Sequence, residues 1–429
     1  MDPSDIARLQ FAGTTSIHWL FVLLTLGLAP LVAVLHTWAA LSRDPARAAE
    51  RERMTRFWGQ LYLVNYAVGI VTGLVMEFQF GLNWSGLSDA AGSVFGAPLA
   101  LETLIAFFAE STFLGMWIFG WGRLPRALHV ALIWLVALTA YVSAYWILVA
   151  NGYLQHPVGT EVRGGVSRIT DFGALLTNPS ALVPLAHITL AAFMAGGLFL
   201  AGVSAFRCAR HPEDLPLFRG SLRLGLLVAA PASWFVVDVG NLQWPVLGAT
   251  QPMKLAALEG AGTGPLQAAF VRQHGPGDYL PPSWIDLPMR VMTDIGSTLS
   301  IVTLVAFALL WKDLLVRWRP LAYLVTALIP LPFVASLGGW VFREVGRQPW
   351  LIYGQLTVRD AVSDVSTTTL AVSCAAFLTL FVVLAVVNWA LIVRFVRRGP
   401  AEVQLGATEP LPAGSDPGGD PDRRAAPTY

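Results

Sequence analysis

Nine runs of about twenty apolar residues, beginning near Thr15, Phe57, Pro98, Ala127, Pro184, Leu222, Val291, Pro320 and Ala371, constrain this chain more than any other feature. A bilayer hydrocarbon core of about 30 Å is crossed by about 20 apolar residues in a helix. Inside it, every backbone polar group must be satisfied within the helix itself. The runs therefore predict an all-α integral membrane protein with nine transmembrane helices. Charged residues make up 13% of the chain, about half the ~25% of an ordinary soluble domain, which agrees.

Lys and Arg concentrate in cytoplasmic loops. Arg43, Arg47, Arg51, Arg53 and Arg56 follow the first run, whereas the next connection, about 81–97, has no basic residue. Arg123 and Arg126 follow the third run, Arg207, Arg210, Arg219 and Arg223 the fifth, Lys312, Arg317 and Arg319 the seventh, and Arg394, Arg397 and Arg398 the ninth. That side holds 17 basic residues against nine on the opposite, longer connections. The alternation predicts an outer N-terminus and a cytoplasmic C-terminus. Met1-Asp2-Pro3-Ser4-Asp5 lacks a basic leader, so the first span is expected to be a retained signal anchor. Cys208 and Cys374 lie at or inside predicted helices and no Cys-x-x-Cys-His occurs, so neither disulfides nor covalent haem are expected. The net charge of +1 gives no reason to invoke nucleic acid. Residues 1–398 are read as the transmembrane domain, and about 247–291 as an outer functional loop. Residues 399–429, rich in Pro, Gly, Ala and Asp, are read as a disordered cytoplasmic tail.

An ionisable side chain at the centre of a membrane helix costs about 2.5–3.5 kcal/mol, which makes each one a functional candidate. His18, Glu77, Glu102 and His187 all fall near the outer face in this topology. Glu110, eight residues and about 12 Å deeper than Glu102 on the same span, suits a proton path. Met292, in the first turn of the seventh span and two residues after Arg290, shares the outer depth. A histidine nitrogen and a methionine sulfur can fill both axial positions of one haem iron, closing it to substrates and raising its potential. Plainer readings stay open: a helix-end histidine is often only hydrogen-bonded, a membrane methionine is usually core, and Glu77 can cap or pair. His36, His129 and His211 lie toward the cytoplasmic side, and His156 and His274 in loops. In the outer loop, Lys254 and Glu259 stand about a turn and a half apart if helical. They could hydrogen-bond a quinol head group and accept its proton, with a surface ion pair as the alternative.

Several segments carry a family resemblance: Leu9-Gln10-Phe11 ahead of His18; Gly73-Leu74-Val75-Met76-Glu77-Phe78-Gln79-Phe80-Gly81 with Asn83-Trp84-Ser85; and Phe95-Gly96-Ala97-Pro98-Leu99-Ala100 leading to Glu102. Glu110-Ser111-Thr112-Phe113, Trp146-Ile147-Leu148-Val149-Ala150-Asn151-Gly152, Lys254-Leu255-Ala256-Ala257-Leu258-Glu259 and Gly346-Arg347-Gln348-Pro349-Trp350 extend it. From about Ile6 to Val396 the chain resembles the larger, haem-bearing subunit of cytochrome bd-type quinol oxidases. The resemblance implies two four-helix bundles plus one extra helix in a bacterial inner membrane. It implies quinol oxidation on the outer side, reduction of dioxygen to water and protons drawn from the cytoplasm. By position, His187 and Met292 resemble the axial ligands of haem b558, with Arg290 beside it. His18 and Glu102 resemble ligands at haem d, Lys254 and Glu259 the quinol-loop residues, and Glu110 and Asn151 proton-delivery positions. The implied partners are a second membrane subunit, subunit II, and a small accessory peptide.

One departure stands out. The family often shows Pro-Leu-Pro-Trp followed four residues later by a glutamate ligand of haem b595, whereas here Pro330-Leu331-Pro332-Phe333 is followed by Leu337. Leucine cannot ligate iron, which implies altered ligation of haem b595 or fewer haems. The loop between Lys254 and Arg290 is also short for the family. Two other functions stay in view: a divergent haem protein that oxidises quinol without reducing dioxygen, and a solute transporter. The transporter should show inverted repeats and broken mid-bilayer helices, whereas the polar groups here share one depth.

Overall fold

A computed structural model describes residues 2–406. Among them are nine helices long and apolar enough to cross a membrane: α1 (Pro3–Ala40), α2 (Pro45–Asn83), α3 (Ser85–Phe119), α4 (Arg126–Gln155), α5 (Phe172–Arg210), α6 (Pro212–Thr250), α7 (Asp286–Ala308), α8 (Arg319–Val345) and α9 (Thr367–Arg398). Most begin before the apolar runs do. The first run starts near Thr15 but α1 starts at Pro3, because Gln10 and Thr14 are buried and bonded to Ser373 of α9 (3.2 Å) and Gln79 of α2 (3.1 Å). Polar groups that find partners extend a helix without an apolar signal. Local chemistry sets the other ends. Asp44 accepts from the amide of Ala46 ahead of Pro45, and Ser366 accepts from the amide of Thr369. Gly399 stops α9 at a φ of 77°, a conformation that favours glycine.

The helices pack as two groups of four. α1 to α4 contact one another, α5 to α8 do likewise, α1 against α5 joins the groups, and α9 lies on α1 and α2. Small residues allow the closest approaches, as expected where lipid supplies no hydrophobic drive between helices. A Cβ on Gly196 of α5 would sit 2.5 Å from the Gly27 carbonyl carbon of α1. Gly196→Val is therefore expected to separate the groups, costing more than the ~1–3 kcal/mol of ordinary overpacking. Thermal unfolding followed by size-exclusion in detergent should show a lower transition, and an unchanged one would contradict this contact. Buried polar groups add a second tie: the Asn65 amide donates to the Phe21 carbonyl (2.9 Å) and the Thr25 hydroxyl (3.0 Å), and Asn388 of α9 donates to Asn65 (3.4 Å).

Two features position the site. α3 runs as a π-helix over Glu102–Phe107, an irregularity common at functional sites, and α8 is interrupted between Ala327 and Leu331. The outer loop holds short helices Pro252–Glu259 and Gly264–His274. The stretch expected to be a tail from Gly399 is docked as far as Gly406: Leu405 is buried, the Gln404 amide donates to Gln60 (2.8 Å), and Arg56 donates to the Gly406 carbonyl (2.9 Å). The remainder, 407–429, lies outside the described residues.

Candidate haem and proton sites

His187 of α5 and Met292 of α7 line one cavity of about 240 Å³, together with Trp19 of α1, Trp340 and Arg343 of α8, and Lys254. The register of α7 explains its contribution: Met289, Met292, Thr293 and Gly296 recur at helical spacing and face the cavity. His187 Nδ1 lies 2.9 Å from the Val236 carbonyl. That carbonyl can only accept, so Nδ1 carries the proton and Nε2 keeps a free lone pair. Two glycines keep space around the pair. A Cβ on Gly240 would meet the His187 ring at 3.0 Å, and one on Gly339 would meet Met292 Sδ at 2.5 Å. Arg290, expected beside this pair, lies one residue off the stripe; its side chain is 71% exposed and paired with Asp286 at 2.5 Å.

Charge is unbalanced at the rim of this cavity. Lys254, Arg343 and Arg347 surround one carboxylate, Glu344, and the four side chains are at most 16% exposed. Glu344 accepts from Asn151 (2.8 Å), Gln155 (3.1 Å) and Arg347 (2.8 Å), and Arg343 donates to the Asn151 side chain (2.7 Å) and the Ser180 carbonyl (2.7 Å). Asn151, expected on the proton path, is thus part of this ionic cluster. Lys254 donates to the Arg343 carbonyl (3.1 Å), and its ammonium lies 4.3 Å from the Phe342 ring centre. Glu259, five residues on in the same short helix, is exposed. The expected Lys254 and Glu259 pair is therefore split, one side chain inside the cavity and the other on the surface.

Burial pushes the Lys254 ammonium well below its ordinary range, with Arg343 adding to the effect. The unfolded chain then binds this proton more readily than the folded one, so stability falls as pH drops from the ordinary lysine range toward the depressed folded value. Lys254→Met removes that penalty. The haem-depleted protein is expected to melt higher after the substitution, with a larger gain at pH 7 than at pH 10. A lower melting temperature at both values would contradict the assignment.

A second, smaller cavity between α1 and α8 is lined by Arg8, Ser16, Trp84, Trp340, Glu344 and Arg347 among others. Among the described residues, Arg8 Nε and the Nε and Nη1 of Arg347 are buried without a partner, an arrangement that calls for an anion or water. Haem fits the first cavity on that chemistry, with a free imidazole nitrogen and a thioether in it and glycines clearing space beside them, and the neighbouring second cavity adds unpaired guanidinium donors to meet carboxylates. Leu337 supplies no ligand, and Glu344, the carboxylate of the second cavity's lining, is committed to three donors.

The remaining acids form a line. The Thr103 hydroxyl lies 2.9 Å from Glu77 and 3.2 Å from Glu102, and Ser143 donates to Glu102 at 2.6 Å. Glu110 is buried, facing Glu102 and Tyr62. His18 Nδ1 contacts the Thr72 hydroxyl at 2.9 Å, and its ring packs over Gly73. Among the described residues no hydrogen bond joins His18 to Glu102. Both border α2, His18 through Thr72 and Glu102 through the Thr103 hydroxyl that also reaches Glu77. Sequence reasoning did not single out Arg8, Arg343, Glu344, Thr103, Ser143 or Tyr62. Three ionisable residues within five positions at the end of an apolar run, Arg343, Glu344 and Arg347, were the available signal.

The cytochrome bd terminal oxidase subunit I model matches residues 6–274 and 272–400. The chain belongs to the cytochrome bd terminal oxidase subunit I family. This subunit I is 36% identical to the cytochrome bd ubiquinol oxidase subunit 1 of Bacillus subtilis (strain 168), over 92% of this chain and 93% of that one. It is 30% identical to the cytochrome bd-II ubiquinol oxidase subunit 1 of Escherichia coli (strain K12), over 94% and 98%. Its fold superposes on the bd oxidase from Geobacillus thermodenitrificans with a TM-score of 0.82 at 25% identity, covering 93% of this chain and 99% of that one. The family is haem-containing.

Proposed function

We propose that this subunit I takes electrons from quinol at the outer face of a bacterial inner membrane and passes them to a high-spin haem site that reduces dioxygen to water, contributing to the proton motive force. The observation that carries the reading is the pairing of His187 and Met292 in one cavity beside the cluster of Lys254, Arg343 and Arg347, whose basic residues outnumber its one carboxylate, Glu344. His187 Nε2 and Met292 Sδ would hold a low-spin haem b558, and the basic cluster would meet its propionate carboxylates. A His/Met-ligated haem supplies a one-electron carrier closed to dioxygen. Arg8 and Arg347 offer the same anchoring on the α1 side, where His18 would hold haem d, with Glu102 of α3 linked to Glu77 of α2 through the Thr103 hydroxyl. Glu259 is the loop group free to accept a quinol proton, while Lys254 holds charge inside.

Glu77 and Glu102 share the Thr103 hydroxyl, so the pair is suited to holding one proton between them. Glu110 feeds it from the cytoplasmic side, with the N-terminus outside as the basic residues direct. The working partners are subunit II and a small accessory peptide. Leu337 favours a second reading in which haem b595 is absent and quinol oxidation is not coupled to dioxygen.

Oxygen consumption driven by a short-chain quinol, measured on the complex purified through this subunit, separates the two. Sustained uptake supports the oxidase, and reduction of a b-type haem by quinol without uptake supports the second reading. Glu259→Ala is expected to raise the KM for quinol while leaving haem content unchanged; an unaltered KM removes Glu259 from the quinol site.

A further inference from the structure

Two buried histidines lie at the opposite end of the helices from His187, away from the cavities that it and Arg8 line. His36 of α1 and His129 of α4 are each 5% exposed, and their ring centres lie 4.7 Å apart. Both are tied to Trp117 of α3. The indole N–H donates to His36 Nδ1 at 3.1 Å, and His129 Nε2 lies 2.8 Å from the Trp117 carbonyl. The indole only donates and the carbonyl only accepts, so His36 carries its proton on Nε2. His129 also carries its proton on Nε2 and keeps Nδ1 as a bare acceptor.

Polar groups continue from this pair in both directions. Toward the basic loop, the Trp121 ring lies 4.6 Å from the His129 ring, Arg56 of α2 lies over Trp121, and Arg56 pairs with Glu52 at 2.6 Å. Residues 404–406 close over this edge through Gln60, Arg56 and Trp121. Toward the membrane centre, Gly59 packs on the Trp117 ring. Tyr62 is one turn beyond Gly59 on α2, and Glu110 is seven residues, about 10 Å, beyond Trp117 on α3. Three atoms along this route, Trp121 Nε1, the Tyr62 hydroxyl and Glu110 Oε1, are buried without a hydrogen-bond partner among the described residues. Buried polar atoms of this kind are commonly met by internal water.

We propose that the His36 and His129 pair is the inner loading station for protons bound for Glu110. A proton from water at the Glu52 and Arg56 edge adds to His129 Nδ1. The imidazolium so formed keeps its Nε2 bond to the Trp117 carbonyl. The same proton then leaves Nδ1 for water beside Tyr62 and reaches the Glu110 carboxylate. His36 is a positioning residue: it fixes Trp117, and its closeness disfavours a second positive charge, so one proton is held at a time. This inference rests on the oxidase reading.

Its test uses the intact, haem-loaded complex in detergent with a pH-sensitive dye, reduced and then mixed with dioxygen. His129→Gln and His129→Phe are expected to slow proton uptake by about 10²-fold, the lower end of what a positioned proton-transfer group contributes. Reduction of the low-spin haem by quinol should be unchanged, and added imidazole should restore part of the uptake. Uptake at the wild-type rate in both variants overturns the proposal. So does loss of haem in both, which makes the pair a packing element. Absence of uptake in the wild type overturns the oxidase reading itself, before His129 is considered.

Discussion

Replacing His187 by alanine is expected to remove the low-spin b-type signal completely from the reduced-minus-oxidised spectrum and to abolish quinol-driven turnover. The effect is the largest predicted because nothing else in the cavity can take the imidazole's place. Its Nδ1 is fixed by the Val236 carbonyl, so the ring orientation that frees Nε2 is built into α5 and α6, and metal ligands depend on such outer partners. Met292→Ala should leave a b-type haem bound through His187 but with a shifted spectrum and lower potential, since the thioether raises it. Gly339→Ala offers a finer check. Its added Cβ would fall 2.5 Å from Met292 Sδ and should displace the sulfur, giving the Met292→Ala spectrum without deleting a ligand. An unchanged spectrum in His187→Ala would refute the ligand assignment.

The second large effect is expected from Glu110→Gln. Glu110 is 6% exposed, and one of its oxygens has no partner, an arrangement costly for a purely structural acid. Its neighbours on either side are Tyr62 and Glu102. Glutamine keeps the shape but cannot pass a proton. Steady-state oxygen consumption should fall by roughly 10²-fold or more, as for loss of a general acid–base group, while quinol still reduces the low-spin haem. Oxygen consumption at the wild-type rate would remove Glu110 from the path.

The membrane architecture was legible in the sequence because apolar length alone decides what can span lipid. Depth was legible too: His187 and Met292 were paired only by sharing a level, and they line one cavity. Direction around each helix was not. Arg290 shares the depth of Met292 but lies about 160° of helical rotation away from it, which turns it outward. Lys254 and Glu259 are separated by five residues, about 140° around a helix, so one faces in when the other faces out. Asn151 reads as a mid-chain polar residue, yet it meets Arg343 and Glu344 of α8, a contact nearly two hundred residues away that no local pattern encodes. The π-helix at Glu102 likewise has no periodic signature, and it changes the phase between Glu102 and Glu110.

The proposed oxidase holds a low-spin haem b at His187 and Met292 and a separate high-spin haem on the His18 side. Extraction of the pigments from the purified complex, counting b-type and chlorin-type haem per chain, tests it most directly. At least one b-type haem and one chlorin are predicted, with the b-type count alone falling in His187→Ala. A preparation with no chlorin, or with a b-type count unaffected by His187→Ala, would contradict it.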